Sequence, residues 1–210
     1  PLLEDVEIDH NATYPVFQTT ISMSPSYTNL NFHDNGTDAL LIAGSNVGRD
    51  VTLDGSPAAL NGAPVHYGGG NVWSPYTLTI TPGTTLKIAS GSNLSVNGGA
   101  TLIAEGAPDL PITFTSQSAN PQPGDWRNIG FGSGSHISLA YCDVGYGGGG
   151  ASFLVIIDGS NAQIRHCRIH HSLGIGVFIN GVGISPLLED VEIDHNATYP
   201  VFQTTISMSP

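Results

Sequence analysis

Residues 165–172 read RHCRIHHS, and the same pattern returns at 140–147 (AYCDVGYG), 189–196 (EDVEIDHN) and 28–35 (TNLNFHDN). Within each stretch apolar and polar residues alternate: Cys167 inward, Arg168 outward, Ile169 inward, His170 outward. Alternation with period two marks a strand with one buried face, because a helix repeats every three to four residues. Cys142, Cys167 and Val191 are spaced by 25 and then 24 residues, and Val144, Ile169 and Ile193 follow them two places on. From Val6 to Leu30, and from Ile8 to Phe32, the step is again 24. A second apolar column keeps it too: Val177 and Phe178 match Val201 and Phe202, while Val16 and Phe17 match Leu40 and Leu41. The expected stacking core is therefore Cys142, Cys167, Val191, Val144, Ile169, Ile193, Leu30, Phe32, Phe178 and Phe202.

Strands recurring at this period describe a solenoid, in which each unit buries its face only against its neighbours. Leucine-rich repeats share the period, but their leucine-and-asparagine consensus is missing. β-Branched residues crowd 78–88 (LTITPGTTLKI) and 111–116 (PITFTS), and turn residues bound each run. Three strands per coil give an all-β parallel β-helix, a three-sided solenoid whose coils stack about 4.8 Å apart.

The composition narrows the function. Only 10% of the 210 residues are charged, 17 Asp and Glu against 5 Lys and Arg, for a net charge of −12. That balance excludes a nucleic-acid binder, which needs a basic stripe to neutralise phosphates. No apolar run reaches the ~20 residues of a membrane span. The 27 glycines and 14 prolines supply many turns without a G-X-Y period. Two cysteines make no disulfide framework. The chain opens at Pro1 without a signal peptide, so an export signal is expected outside this window.

Residues 1–25 and 186–210 are the same 25 letters, PLLEDVEIDHNATYPVFQTTISMSP, offset by 185. The simplest reading is a window on a tandem array: one full 185-residue repeat and the start of the next copy. A subunit with identical ends, or an added piece, would also produce it. On the array reading, 1–48 are the closing coils of one repeat and 49–76 an irregular coil or inter-module connector. Residues 77–210 are then coils running into the next copy. Each repeat makes about seven or eight coils and adds ~35 Å of length.

The stretch from Tyr76 to Gly149, with its PGTTLKI coil (82–88), PITFTS strand, PGDW loop (123–126) and a strand ending in Tyr141-Cys142, resembles a known kind of repeat. It is similar to the right-handed parallel β-helix repeats of bacterial secreted and cell-surface proteins, the pectate-lyase-like superfold. The resemblance covers about 75 residues, and 49–75 depart from it. It implies right-handed winding, a place outside the cell and membership of a long multi-module chain. It implies little about activity, because the superfold hosts lyases, hydrolases, adhesins and passive stalks.

Several residues invite chemistry. Arg168 falls between Asp143 and Glu192 in the stacked alignment, an acid–base–acid ladder that offsets like-charge repulsion between coils. The next outward column sets His170 before Asp194, and Asp9 before His33, so an array would read His–Asp–His. Imidazole with carboxylate suits a divalent ion, although a flat ladder does not obviously converge three ligands. The turn Asp34–Asp38 offers hard oxygens that could make a weak calcium loop but lacks the 12-residue EF-hand frame; no cofactor is expected, with calcium the one candidate. Asn11, Asn35, Asn196 and Asn93 each head an N-x-Ser/Thr sequon. Ser172, Asn196, Asn11 and Asn35 also share one turn column, where stacked amides would form a ladder and leave Asn93 the better glycan acceptor. Cys142 and Cys167 align closely enough for a disulfide, with buried thiols the plainer reading.

Together these features favour a structural role rather than an enzymatic one. The expectation is a module of an extracellular stalk or filament whose partner is itself, adjacent copies or identical subunits stacking head to tail. The alternatives are a polysaccharide-binding or polysaccharide-cleaving domain, or an adhesin stalk with a distant binding head. The scattered carboxylates Asp54, Asp109, Asp125, Asp143 and Asp158 do not suggest the facing acid pair of a glycosidase.

Overall fold

A computed structural model of the chain describes residues 2–23, 25–150 and 152–204. It is an all-β, right-handed parallel β-helix, a solenoid of about eight turns; the periodicity predicts the parallel solenoid and the resemblance its hand. Three long sheets form its sides. The first stacks Val51–Leu53, Thr77–Ile80, Thr101–Glu105, His136–Ala140, Gln163–Arg165 and Leu187–Glu189. The second runs from Val16–Gln18 through Leu40–Ile42, Val65–Tyr67, Thr85–Ile88, Ile112–Ser116, Cys142–Gly145 and Arg168–His170 to Glu192–Asp194. The third stacks Gly70–Trp73, Leu94–Asn97, Ile129–Phe131, Phe153–Asp158, Ile175–Asn180 and Val201–Gln203. All of these strand pairs are parallel.

Inward columns fill the interior. On the second sheet Val16, Leu40, Val65, Leu86, Phe114, Val144, Ile169 and Ile193 stand directly over one another. Val72, Val96, Phe131, Ile157 and Ile179 do the same on the third. Cys142, Cys167, Leu30 and Phe32 are buried as expected, and Val191 and Ile193 pack against the core from the last coil. Phe178 and Phe202 are not core residues. They follow the inward Val177 and Val201 by one place, so the period of two turns them out. There Phe178 stacks between Phe153 and Phe202, its ring centroid 4.3 Å from the first and 6.0 Å from the second.

The first coils differ from the rest. Among the described residues Leu2–Glu4 pairs only with Ser26–Thr28, and Glu7–Asp9 only with Asn31–His33, making two small sheets. Below them, in residues 49–76, a four-residue helix Pro57–Leu60 takes the place of a strand. Ser56 caps it by accepting from the Ala59 amide, Pro57 begins it with its fixed φ, and Asn61 ends it in the left-handed region. Carbonyls of Ala58 and Ala59 still accept from Asn29 and Leu30, so the helix closes the edge that a strand would have left open.

The duplicated segment therefore occupies different faces at its two ends. Val16–Gln18 belongs to the second sheet and its copy Val201–Gln203 to the third. Glu7–Asp9 lies in a side sheet, and its copy Glu192–Asp194 ends the second sheet. The strand boundaries inside the segment are the same in both copies. The stretch 205–210 of the second copy lies outside the described residues.

Candidate functional site

The densest cluster of chemically active side chains sits on the outside of the second sheet, where Cys142–Gly145, Arg168–His170 and Glu192–Asp194 stack in register. Corner residues in the left-handed region bracket these strands: Tyr141, His166 and Asp190 before them, Tyr146, His171 and His195 after. Each such residue without a Cβ-free backbone costs ~1–2 kcal/mol. Stacking offsets part of this cost, because successive corners lie one strand spacing apart. Tyr141 stacks on His166 at 4.8 Å, Tyr146 on His171 at 5.0 Å, and His171 on His195 at 4.9 Å.

Arg168 is placed between Asp143 and Glu192 by register, but its guanidinium reaches diagonally. Nη2 donates to Asp194 Oδ2 at 2.8 Å, and Nε lies 3.8 Å from Glu192. That hydrogen bond holds the Asp194 carboxyl down at about 2. Asp143 instead engages His170 Nε2 at 2.9 Å. The His170 ring lies over Gly145, where a Cβ would come within 2.7 Å of Nε2, and its side chain is only 6% exposed. Its Nδ1 faces His171 Nδ1 at 2.7 Å. Burial, and then the neighbouring imidazoles, push the His171 pKa down.

At the other end the same motif gathers Glu7, Asp9 and His33. His33 Nε2 contacts Glu7 and lies 3.8 Å from Asp9, while Nδ1 meets Asp34 at 3.0 Å. Hydrogen bonds to Asp34 and Glu7 raise the His33 pKa to about 8. In the turn Asp34–Asp38 the two carboxylates point to different neighbours: Asp38 Oδ1 accepts from the backbone and side-chain nitrogens of Asn35, and Asp34 turns to His33.

The asparagine column forms hydrogen bonds from coil to coil. Asn35 Oδ1 accepts from both nitrogens of Asn11, and Asn196 Oδ1 accepts from the Ser172 amide. Asn35 Nδ2 is also spent on the Ile8 and His33 carbonyls, and Asn93 Nδ2 donates to Ser95. Cys142 and Cys167 are buried free thiols, with Cys167 Sγ accepting from the Cys142 amide at 3.4 Å. The hydrogen bond with the Cys167 sulfur, and then burial, push the Cys142 thiol up. A shallow groove of about 490 Å³ beside the cluster is lined in part by Asp143, Arg168, Asp190 and Glu192.

One polar site has no counterpart in the sequence reading. His66, buried on the outside of the second sheet, shares its Nδ1 with Tyr14 Oη at 3.1 Å and Gln117 Nε2 at 2.9 Å. Burial, helped by Lys87, lowers its pKa to about 4. No family model, no curated protein and no solved structure matches this chain. Among the described residues no helix is long and apolar enough to cross a membrane.

Proposed function

We propose that this chain is a structural module of a tandem-repeat stalk or filament, built of β-helix coils like those of bacterial secreted and cell-surface proteins, and working outside the cell. Its partner is a further copy of itself, and no catalytic group is assigned. One observation carries this reading. The duplicated segment pairs through its following edge in residues 2–18, with 26–42, and through its preceding edge in residues 187–203, with 163–179. The two copies thus display both edges of one coil satisfied, which is what an interior coil of a continuous stack requires. Successive copies would then cover each other's exposed strand edges, an alternative to uncontrolled edge pairing. The surplus of acidic side chains keeps neighbouring fibres apart.

Electron microscopy of proteins carrying one, two and three repeats tests this. Rods that lengthen by ~35 Å per added 185 residues support it; separate beads on flexible joints overturn it. The acidic groove beside Arg168 favours a second reading, polysaccharide binding. Retention on immobilised acidic or neutral glycans, lost on changing Asp190 and Glu192 to Ala, would favour that reading instead.

A further inference from the structure

We propose that His170, His171 and Asp194 form a binding site for a divalent transition metal of the zinc type. The three residues each present a ligand atom, and these atoms lie within 4.8 Å of one another. His170 is set up for the task. Asp143 takes its Nε2 at 2.9 Å, the carboxylate–imidazole arrangement that fixes tautomer and orientation in metal sites, and leaves Nδ1 to ligate. That Nδ1 faces the Nδ1 of His171 at 2.7 Å, against ~3.3 Å for two nitrogens on one tetrahedral zinc, a gap that small ring rotations close. Asp194 supplies the oxygen. Arg168 orients it through Oδ2, whereas Oδ1 is buried and makes no hydrogen bond of good geometry, its contact with His195 Nδ1 being 3.2 Å long. A buried polar atom without a hydrogen bond calls for a partner. Two imidazoles and one carboxylate suit zinc, cobalt, nickel or copper rather than calcium.

The position gives the ion a mechanical meaning, and this part alone rests on the tandem reading. His170 and His171 belong to the last coil before the duplicated segment, and Asp194 lies within that segment. An ion held by the three would staple one repeat to the next. In Asp9, the other copy of Asp194, the following coil brings His33 to within 3.8 Å, so an interior junction would offer the same carboxylate imidazoles from both sides.

Cobalt(II) and zinc titrations of the whole 210-residue chain test the site. The expected result is one cobalt with a visible d–d band, displaced by zinc, and at least tenfold weaker binding in His171→Gln and in Asp194→Asn. His33→Gln should leave that binding unchanged, and circular dichroism should show each variant folded. Absence of saturable binding overturns the proposal, as does binding that survives both His171→Gln and Asp194→Asn or is lost only in His33→Gln. Zinc should also slow proteolysis within 187–203; binding without this protection overturns the staple and leaves the site. Rod length in the microscope is read independently, so failure of the stalk does not pass for failure of the site.

Discussion

At the scale of the residue, two imidazoles with opposite pKa shifts set how stability responds to pH. His66 has a pKa near 4 in the folded chain, below its ordinary value of about 6.5. Between those values the unfolded chain binds a proton that the folded chain refuses, so stability is intact above pH 6.5 and falls as the pH drops toward 4. The loss is no more than ~3 kcal/mol after allowance for solvent screening. Urea unfolding at pH 7 and pH 4.5 should show this acid limb in the native chain and a flatter one in His66→Gln. His33 works in the opposite direction: its raised pKa means that its contacts with Glu7 and Asp34 stabilise below pH 6.5 and weaken as the pH rises through 8. His33→Gln should remove that alkaline limb. Gly145 carries a steric constraint. A methyl there meets the His170 ring, so Gly145→Ala should cost ~1–3 kcal/mol and weaken the His170–Asp143 contact, seen as a shifted His170 imidazole resonance. The outward His–Asp column was legible from spacing alone. The His66 network was not, because Tyr14 and Gln117 stand 103 residues apart and meet only through the winding of the coil.

The unit of stability at the next scale is the strand column rather than the single strand. A three-residue strand such as Arg168–His170 has little standing alone; it persists because Val144 and Ile193 lie above and below Ile169. Truncation should therefore be most costly in the middle of a column. Phe114→Ala, at a fully buried side chain between Leu86 and Val144, should lose ~3–5 kcal/mol, whereas Phe202→Ala, on the outer face of the last coil, should lose far less. Thermal denaturation of the two variants checks the contrast. Cys142, Cys167, Val144 and Ile169 announced these columns because their alternation and 24- to 25-residue step coincide. Phe178 and Phe202 kept the step but occupy the outward place next to Val177 and Val201, and apolar character alone does not tell an inner column from a stacked outer one. The helix Pro57–Leu60 had local signals in Ser56 and Pro57, but nothing nearby shows that it ends a sheet. That role depends on Asn29 and Leu30 in the preceding coil.

For the whole molecule, the decisive fact is that identical letters sit on different faces. In a parallel ladder each strand sends alternate amides to opposite neighbours. Asp5 donates to the Thr28 carbonyl of the following coil, and Glu192 donates to the Cys167 carbonyl of the preceding one. Their duplicates, Asp190 and Glu7, point the same amides at edges that no other described strand covers. Amide exchange, followed by NMR with the two segments labelled separately, should find Asp5 and Glu192 protected and Asp190 and Glu7 fast, despite identical sequence neighbours. In a chain of two joined repeats, the copy of the segment at the junction should become slow at both positions at once, because one coil then has neighbours on both sides. If the junction copy keeps one fast amide, the stack is broken there, and the repeats are linked as separate bodies rather than wound as one solenoid.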